Sequence, residues 1–237
     1  MKQGQDTACI PQGFLTAGTY SGLCDTRIKL DVAAFVSPAN CSILISDTAG
    51  CRQYTGKAVL LHNGMALPQN ARGQEIKTEV CQAIAAHMHL SVTDVVFAAQ
   101  GIQGQFRPSR LINSLETLTA ALASSHIDQV GAVLDNTGDL TYCTIPAGNQ
   151  SMLCGMAADG TREKAGLSVI LTDADVTPQQ WQEAIEQCRQ TIDLEEFTLI
   201  CMANGAAKKT MSVSQLADAV QNLCRQLGFQ VSLQACS

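Results

Sequence analysis

Gln100-Gly101-Ile102-Gln103-Gly104 follows an apolar run, Val95 to Ala99, and precedes a helical pattern that opens at Pro108. Two glycines at such a junction predict a tight elbow. An elbow leaving a buried strand presents bare amide N–H groups that can hold an anion or a developing oxyanion. The same glycines would also serve a sharp strand-to-helix turn with no ligand, so both readings stand. A second glycine turn, His62-Asn63-Gly64, closes the apolar run at 57–61. If the two strands run parallel, both turns lie at one end of the sheet, where crevices form. The candidate site residues are therefore Gln100, Gly101 and Gly104 on one side and His62, Asn63 and Gly64 on the other.

Other chemistries find little support. Gly101-x-x-Gly104 lacks the leading glycine pair of a dinucleotide fingerprint, and neither a phosphate-binding G-x-x-x-x-G-K-[ST] nor a G-x-S-x-G elbow occurs. His87 and His89 are two apart on a predicted helix and point in different directions, so no metal site is expected. Asp173 and Asp175 follow the run 167–171 and read as readily as turn-capping side chains. The chain's 11 cysteines are scattered, odd in number and never spaced C-x-x-C, which predicts reduced, mostly buried thiols.

The elements that must position these residues alternate. Apolar runs at 32–37 and 41–46 flank Pro38-Ala39-Asn40 and predict two strands around a turn, followed by a strand at 57–62. Ile76, Val80, Ile84 and Met88 share one helical stripe. A strand at 95–99 and a helix from Pro108 come next. Val130 to Leu134 and Leu140 to Ile145 around Asn136-Thr137-Gly138-Asp139 predict a hairpin, and the polar stretch 147–165 predicts a long irregular loop. Strands at 167–171, 197–202 and 229–233 alternate with helices capped by Thr177 and Ser212. The result is an α/β chain, mixed β-sheets with outer helices, read as one domain over residues 1–237.

A chain of 237 residues, 46% of them apolar, has ample material for a packed core. Its net charge of −6, with basic residues dispersed, offers no footprint for nucleic acid or an anionic membrane. No apolar run reaches the roughly 18 residues of a membrane span, and the start lacks a signal-peptide apolar region, so a cytoplasmic setting is expected.

Ile10-Pro11-Gln12-Gly13-Phe14-Leu15-Thr16-Ala17-Gly18, Ala58-Val59-Leu60-Leu61-His62-Asn63-Gly64-Met65-Ala66 and Val96-Phe97-Ala98-Ala99-Gln100-Gly101-Ile102-Gln103-Gly104 stand in the order of motifs found in the ornithine acetyltransferases. Gly166-Leu167-Ser168-Val169-Ile170-Leu171-Thr172-Asp173-Ala174 and Leu199-Ile200-Cys201-Met202-Ala203-Asn204-Gly205-Ala206-Ala207 continue it. From about residue 10 to 230 the chain resembles that family, the bifunctional glutamate N-acetyltransferases of arginine biosynthesis, and its first domain in particular. The resemblance implies no cofactor and a self-cleaving chain whose freed N-terminal threonine attacks the acetyl donor, with its own amine as base. It also implies a Thr-Gly oxyanion hole at the elbow. Here Gly101 matches the glycine, but Gln100 replaces the threonine. Counting back from Thr172 places Ala165 or Gly166 where the nucleophile should stand, and neither carries a hydroxyl. Gly160-Thr161 is the remaining scissile pair, available only if the loop has gained three or four residues. The family's second domain is expected to be absent. A degenerate binding or assembly subunit follows as the leading expectation, with a small amino-acid-type ligand and a homo-oligomer or partner subunit. The competing expectation is an active acyltransferase with Thr161 as nucleophile.

Overall fold

Two strands of 16 residues, β2 (Val32–Asp47) and β3 (Gly50–Met65), pair antiparallel as the spine of the fold. The structure is a computed structural model that describes residues 9–23, 30–47, 50–134, 140–147, 151–158, 166–194 and 197–229. One edge of β2 is shared by two partners: β1 (Leu15–Thr19) lies along Val32–Val36, and β8 (Phe197–Ala203) lies along Ser42–Ser46. The free side of β3 takes β4 (Val95–Ile102) in parallel, through helix α1 (Ala71–Met88). Beyond β8 come β7 (Gly166–Thr172), β6 (Met152–Ala158) and β5 (Leu140–Pro146), giving the order β4-β3-β2-β8-β7-β6-β5 with β1 beside β2. The β7–β8 pair is parallel and is joined by α4 (Pro178–Arg189). Helices α2 (Pro108–Ala120), α3 (Ile127–Leu134) and α5 (Val213–Gln226) complete the fold.

Period-two alternation sorts the strand side chains into layers. Val32, Ala34, Ala58, Leu60 and Phe97 pack with Ile76, Val80 and Ile84 of α1 and Leu111, Leu115 and Leu118 of α2. Their neighbours Ala33, Phe35, Val59, Leu61 and Val96 face the other way and pack with Leu167, Val169 and Leu171 of β7 and Ile200 and Met202 of β8. Leu199 and Cys201 of β8 and Ile170 of β7 pack against α4 and α5, around fully buried Trp181. In a flat sheet, strands about 4.8 Å apart would hold β4 roughly 19 Å from β7. Their shared core therefore requires the sheet to fold back on itself, and the layers run helix, sheet, sheet, helix.

Three expectations change. Residues 37–40 do not turn the chain; they form a bulge inside one continuous strand, because the pairing steps from Val36↔Ala58 to Cys41↔Gly56. Pro38 has no N–H to give a ladder, so the strand bulges where it stands. Residues 130–134 are the end of α3 and not a strand. Val130, Val133 and Leu134 recur at helical spacing and seal the inner layer. The expected loop 147–165 contains β6, whose run Met152 to Ala157 is half-buried or buried between β5 and β7. The hairpin turn at 136–139 and residues 230–233 of the last expected strand lie outside the described residues. Both predicted caps hold as full capping boxes, Thr177 with Gln180 and Ser212 with Gln215. Among the described residues no helix is long and apolar enough to cross a membrane.

Candidate functional site

The two glycine segments do lie side by side at one end of the sheet. His62 pairs with Ala99, Asn63 with Gln100, Gly64 with Gly101 and Met65 with Ile102, all in parallel register. Both strands run on through these positions, so 62–65 and 99–102 are paired strand ends rather than open turns. Gly101 has φ +137°, and a Cβ there would stand 2.2 Å from the carbonyl carbon of Gly64 and 2.3 Å from its oxygen. Only glycine permits this approach of backbone to backbone. Gly104 lies beyond the strand end, exposed, with Met65 as its neighbour.

Alternation divides the remaining candidates between two faces. His62 points to the helix layer, fully buried, with its ring edge-on to Phe106 at 5.5 Å between centroids. Its Nδ1 lies 3.0 Å from the carbonyl oxygen of Asp31. A carbonyl only accepts, so Nδ1 carries the proton. Burial lowers the His62 pKa, against a smaller upward pull from the nearby Asp31 charge and this hydrogen bond. The Asp31 carboxylate, itself buried, accepts from the Ser21 N–H at 2.6 Å and the Ser21 hydroxyl at 2.7 Å. Asn63 points to the inner layer, where its Nδ2 donates to the carbonyls of Val133 and Leu134 at 2.9 and 3.0 Å. It thereby satisfies carbonyls that the end of α3 leaves open.

Gln100 shares the inner face with Asn63. Its Nε2 donates to the Gly166 carbonyl at 3.4 Å, a long bond that ties the end of β4 to the start of β7 across the fold. The elbow residue and the position reached by counting back from Thr172 are thus brought together, although 66 residues separate them. A Cβ at Gly166 would lie 2.5 Å from the Phe197 ring, which is stacked on Phe229 at 4.3 Å, so any side chain at 166 must displace that ring. The hydroxyls of β7 are spent on β6: Ser168 donates to the Met156 carbonyl at 3.0 Å and Thr172 to the Met152 carbonyl at 2.8 Å. Asp173 accepts from the Met152 N–H at 2.8 Å, the capping role. Burial pushes the thiols of Cys154, Cys188 and Cys224 up to about 12, and those of Cys41 and Cys143 to about 11, which keeps them protonated and poor nucleophiles. Thr161 and Ala165 lie outside the described residues. Among the described residues no three His, Cys, Asp or Glu side chains converge to hold a metal.

Several partners had no signal in the sequence. Asn204 Nδ2 donates to the Gln12 carbonyl at 2.9 Å, and a Cβ at Gly13 would stand 2.9 Å from that same nitrogen. The first and last of the quoted motifs therefore fit together. A spacing of 192 residues gives a single sequence no means of pairing them.

No family model matches the chain. Among curated proteins it is similar to the chloroplastic arginine biosynthesis bifunctional protein ArgJ of Zea mays, 26% identical over 239 residues, covering 86% of this chain and 52% of that protein. It is also similar to the arginine biosynthesis bifunctional protein ArgJ of Streptomyces avermitilis, 26% identical over 192 residues, covering 73% of this chain and 49% of that one. The chain spans about half the length of the curated relatives it matches. Among solved structures, a Burkholderia sp. beta-aminopeptidase matches with a TM-score of 0.54 at 11% identity, over 96% of this chain and 88% of that one, a likeness of fold.

Proposed function

The chain is related to the ornithine acetyltransferases of arginine biosynthesis, and from that premise we propose that it keeps their scaffold as a binding or assembly subunit that neither cuts itself nor transfers acetyl groups. One observation carries the proposal: the Gln100 carboxamide is hydrogen-bonded to the Gly166 carbonyl, with the Phe197 ring filling the space beside position 166. In the family the elbow holds an oxyanion and the start of this strand supplies the nucleophile. Here the elbow side chain is engaged with the main chain instead. The side chains of Ala165 and Gly166 offer no hydroxyl to attack with.

Acetyl transfer from N-acetylornithine to glutamate tests the proposal. Wild type and Thr161→Ala should both run at the uncatalysed background. Turnover by the wild type that Thr161→Ala abolishes would establish Thr161 as nucleophile and reject the degenerate reading. A thermal shift with millimolar ornithine, glutamate or N-acetylornithine separates the two roles, since ligand at about 100 times its Kd adds roughly 2.7 kcal/mol to a binding subunit and nothing to a purely structural one.

A further inference from the structure

We propose that an apolar slot at the seam of the sheet is a binding site for a small aliphatic monocarboxylate, with Lys57 receiving its head group. The slot, about 390 Å³, lies where β1 leaves the edge of β2 before β8 takes it up. The β2 bulge makes the opening. Residues 37–40 stand opposite Lys57 alone, so the ladder parts there and the backbone moves aside. Phe14, Leu15, Val36 and Leu90 give the walls, and Ser37 and Lys57 are polar groups among them. This size and this balance of apolar wall to few polar groups suit a small organic ligand, whose sites run from roughly 300 to 1,000 Å³.

The charge selects the ligand. The Lys57 side chain is 32% exposed, and its Nζ stands 3.8 Å from Asp94 Oδ2, an ion pair too long to be a hydrogen bond. Among the described residues its ammonium protons therefore meet no acceptor at hydrogen-bonding distance. Among the described residues, Lys57 is the only charged one lining the slot. An apolar tail fills the walls, and a carboxylate offers those protons a charged acceptor in place of water. The slot is separate from the Gln100 site. Lys57 and Asn63 are six residues apart on β3, roughly 20 Å at ~3.3 Å per residue.

Calorimetric titration with octanoate and with octan-1-ol tests the assignment on wild type, Lys57→Met and Leu90→Trp. Octanoate should bind the wild type more tightly than the alcohol. Lys57→Met should weaken octanoate about tenfold or more, the loss of one charge-assisted hydrogen bond, and leave the alcohol unchanged. Leu90→Trp, which fills the slot from a half-buried loop position, should abolish both. Backbone amide shifts on adding octanoate should centre on residues 13–15, 36, 37 and 57. The proposal is overturned if millimolar octanoate gives neither heat nor shifts, if Lys57→Met binds it as tightly as wild type, or if the shifts fall elsewhere.

Discussion

At the scale of single residues, the candidate site side chains hold the fold together. Asn63 closes the end of α3, Gln100 ties β4 to β7, and His62 is packed against Phe106 and donates its Nδ1 proton to the Asp31 carbonyl. Gly101 is the most demanding of these positions. Gly101→Ala places a methyl 2.2 Å from backbone and asks an L side chain to adopt φ +137°. The expected cost is about 2–4 kcal/mol, read from urea midpoints, and an alanine variant as stable as wild type would refute the close approach. His62 sets a pH dependence. Burial lowers its pKa in the folded state, so below the unfolded value near ~6.5 the unfolded chain binds the extra proton and stability falls as pH drops. Urea midpoints at pH 7.5 and 5.5 should show that fall, and His62→Gln should lose part of it. An unchanged pH slope in the variant would show that His62 does not contribute.

At the scale of elements, what the sequence made legible is what is local. Caps state their helices outright, because the cap side chain and its amide partner lie three residues apart: Thr177→Ala and Ser212→Ala should each cost about 1 kcal/mol in thermal or urea unfolding, and no loss at either would remove that cap from the account. The α1 stripe and the runs of β4, β7 and β8 were legible for the same reason, since periodicity is carried by neighbours. Residues 37–40 misled because Pro38 breaks a ladder equally well by a turn or by a bulge, and only the partner strand decides. Val130 to Leu134 misled because a short apolar run fits a buried strand as well as a buried helix. Residues 147–165 misled because glycine and polar residues at the ends mask β6 between them. The placement of the candidate residues was legible only in part. That the two glycine segments share one end of the sheet was legible on the condition that their strands run parallel, whereas the Gln100–Gly166 bond depends on the sheet folding over, which no local pattern encodes.

At the scale of the whole molecule, the fold brings the ends of β4 and β7 together, with Gln100 bonded to the Gly166 carbonyl and the Phe197 ring beside Gly166. Helix, sheet, sheet and helix are stacked so that β4 and β7 meet through their inner faces, and at that meeting stand a carboxamide, a glycine and an aromatic ring. The proposed degenerate reading requires the chain to stay whole before β7. Intact mass of the purified protein, taken after prolonged incubation at 37 °C, tests this most directly. The account predicts one species of 25.1 kDa for the whole chain. Two fragments whose masses sum to that of the chain plus one water, divided at Gly160-Thr161 or just before Ala165 or Gly166, would contradict it.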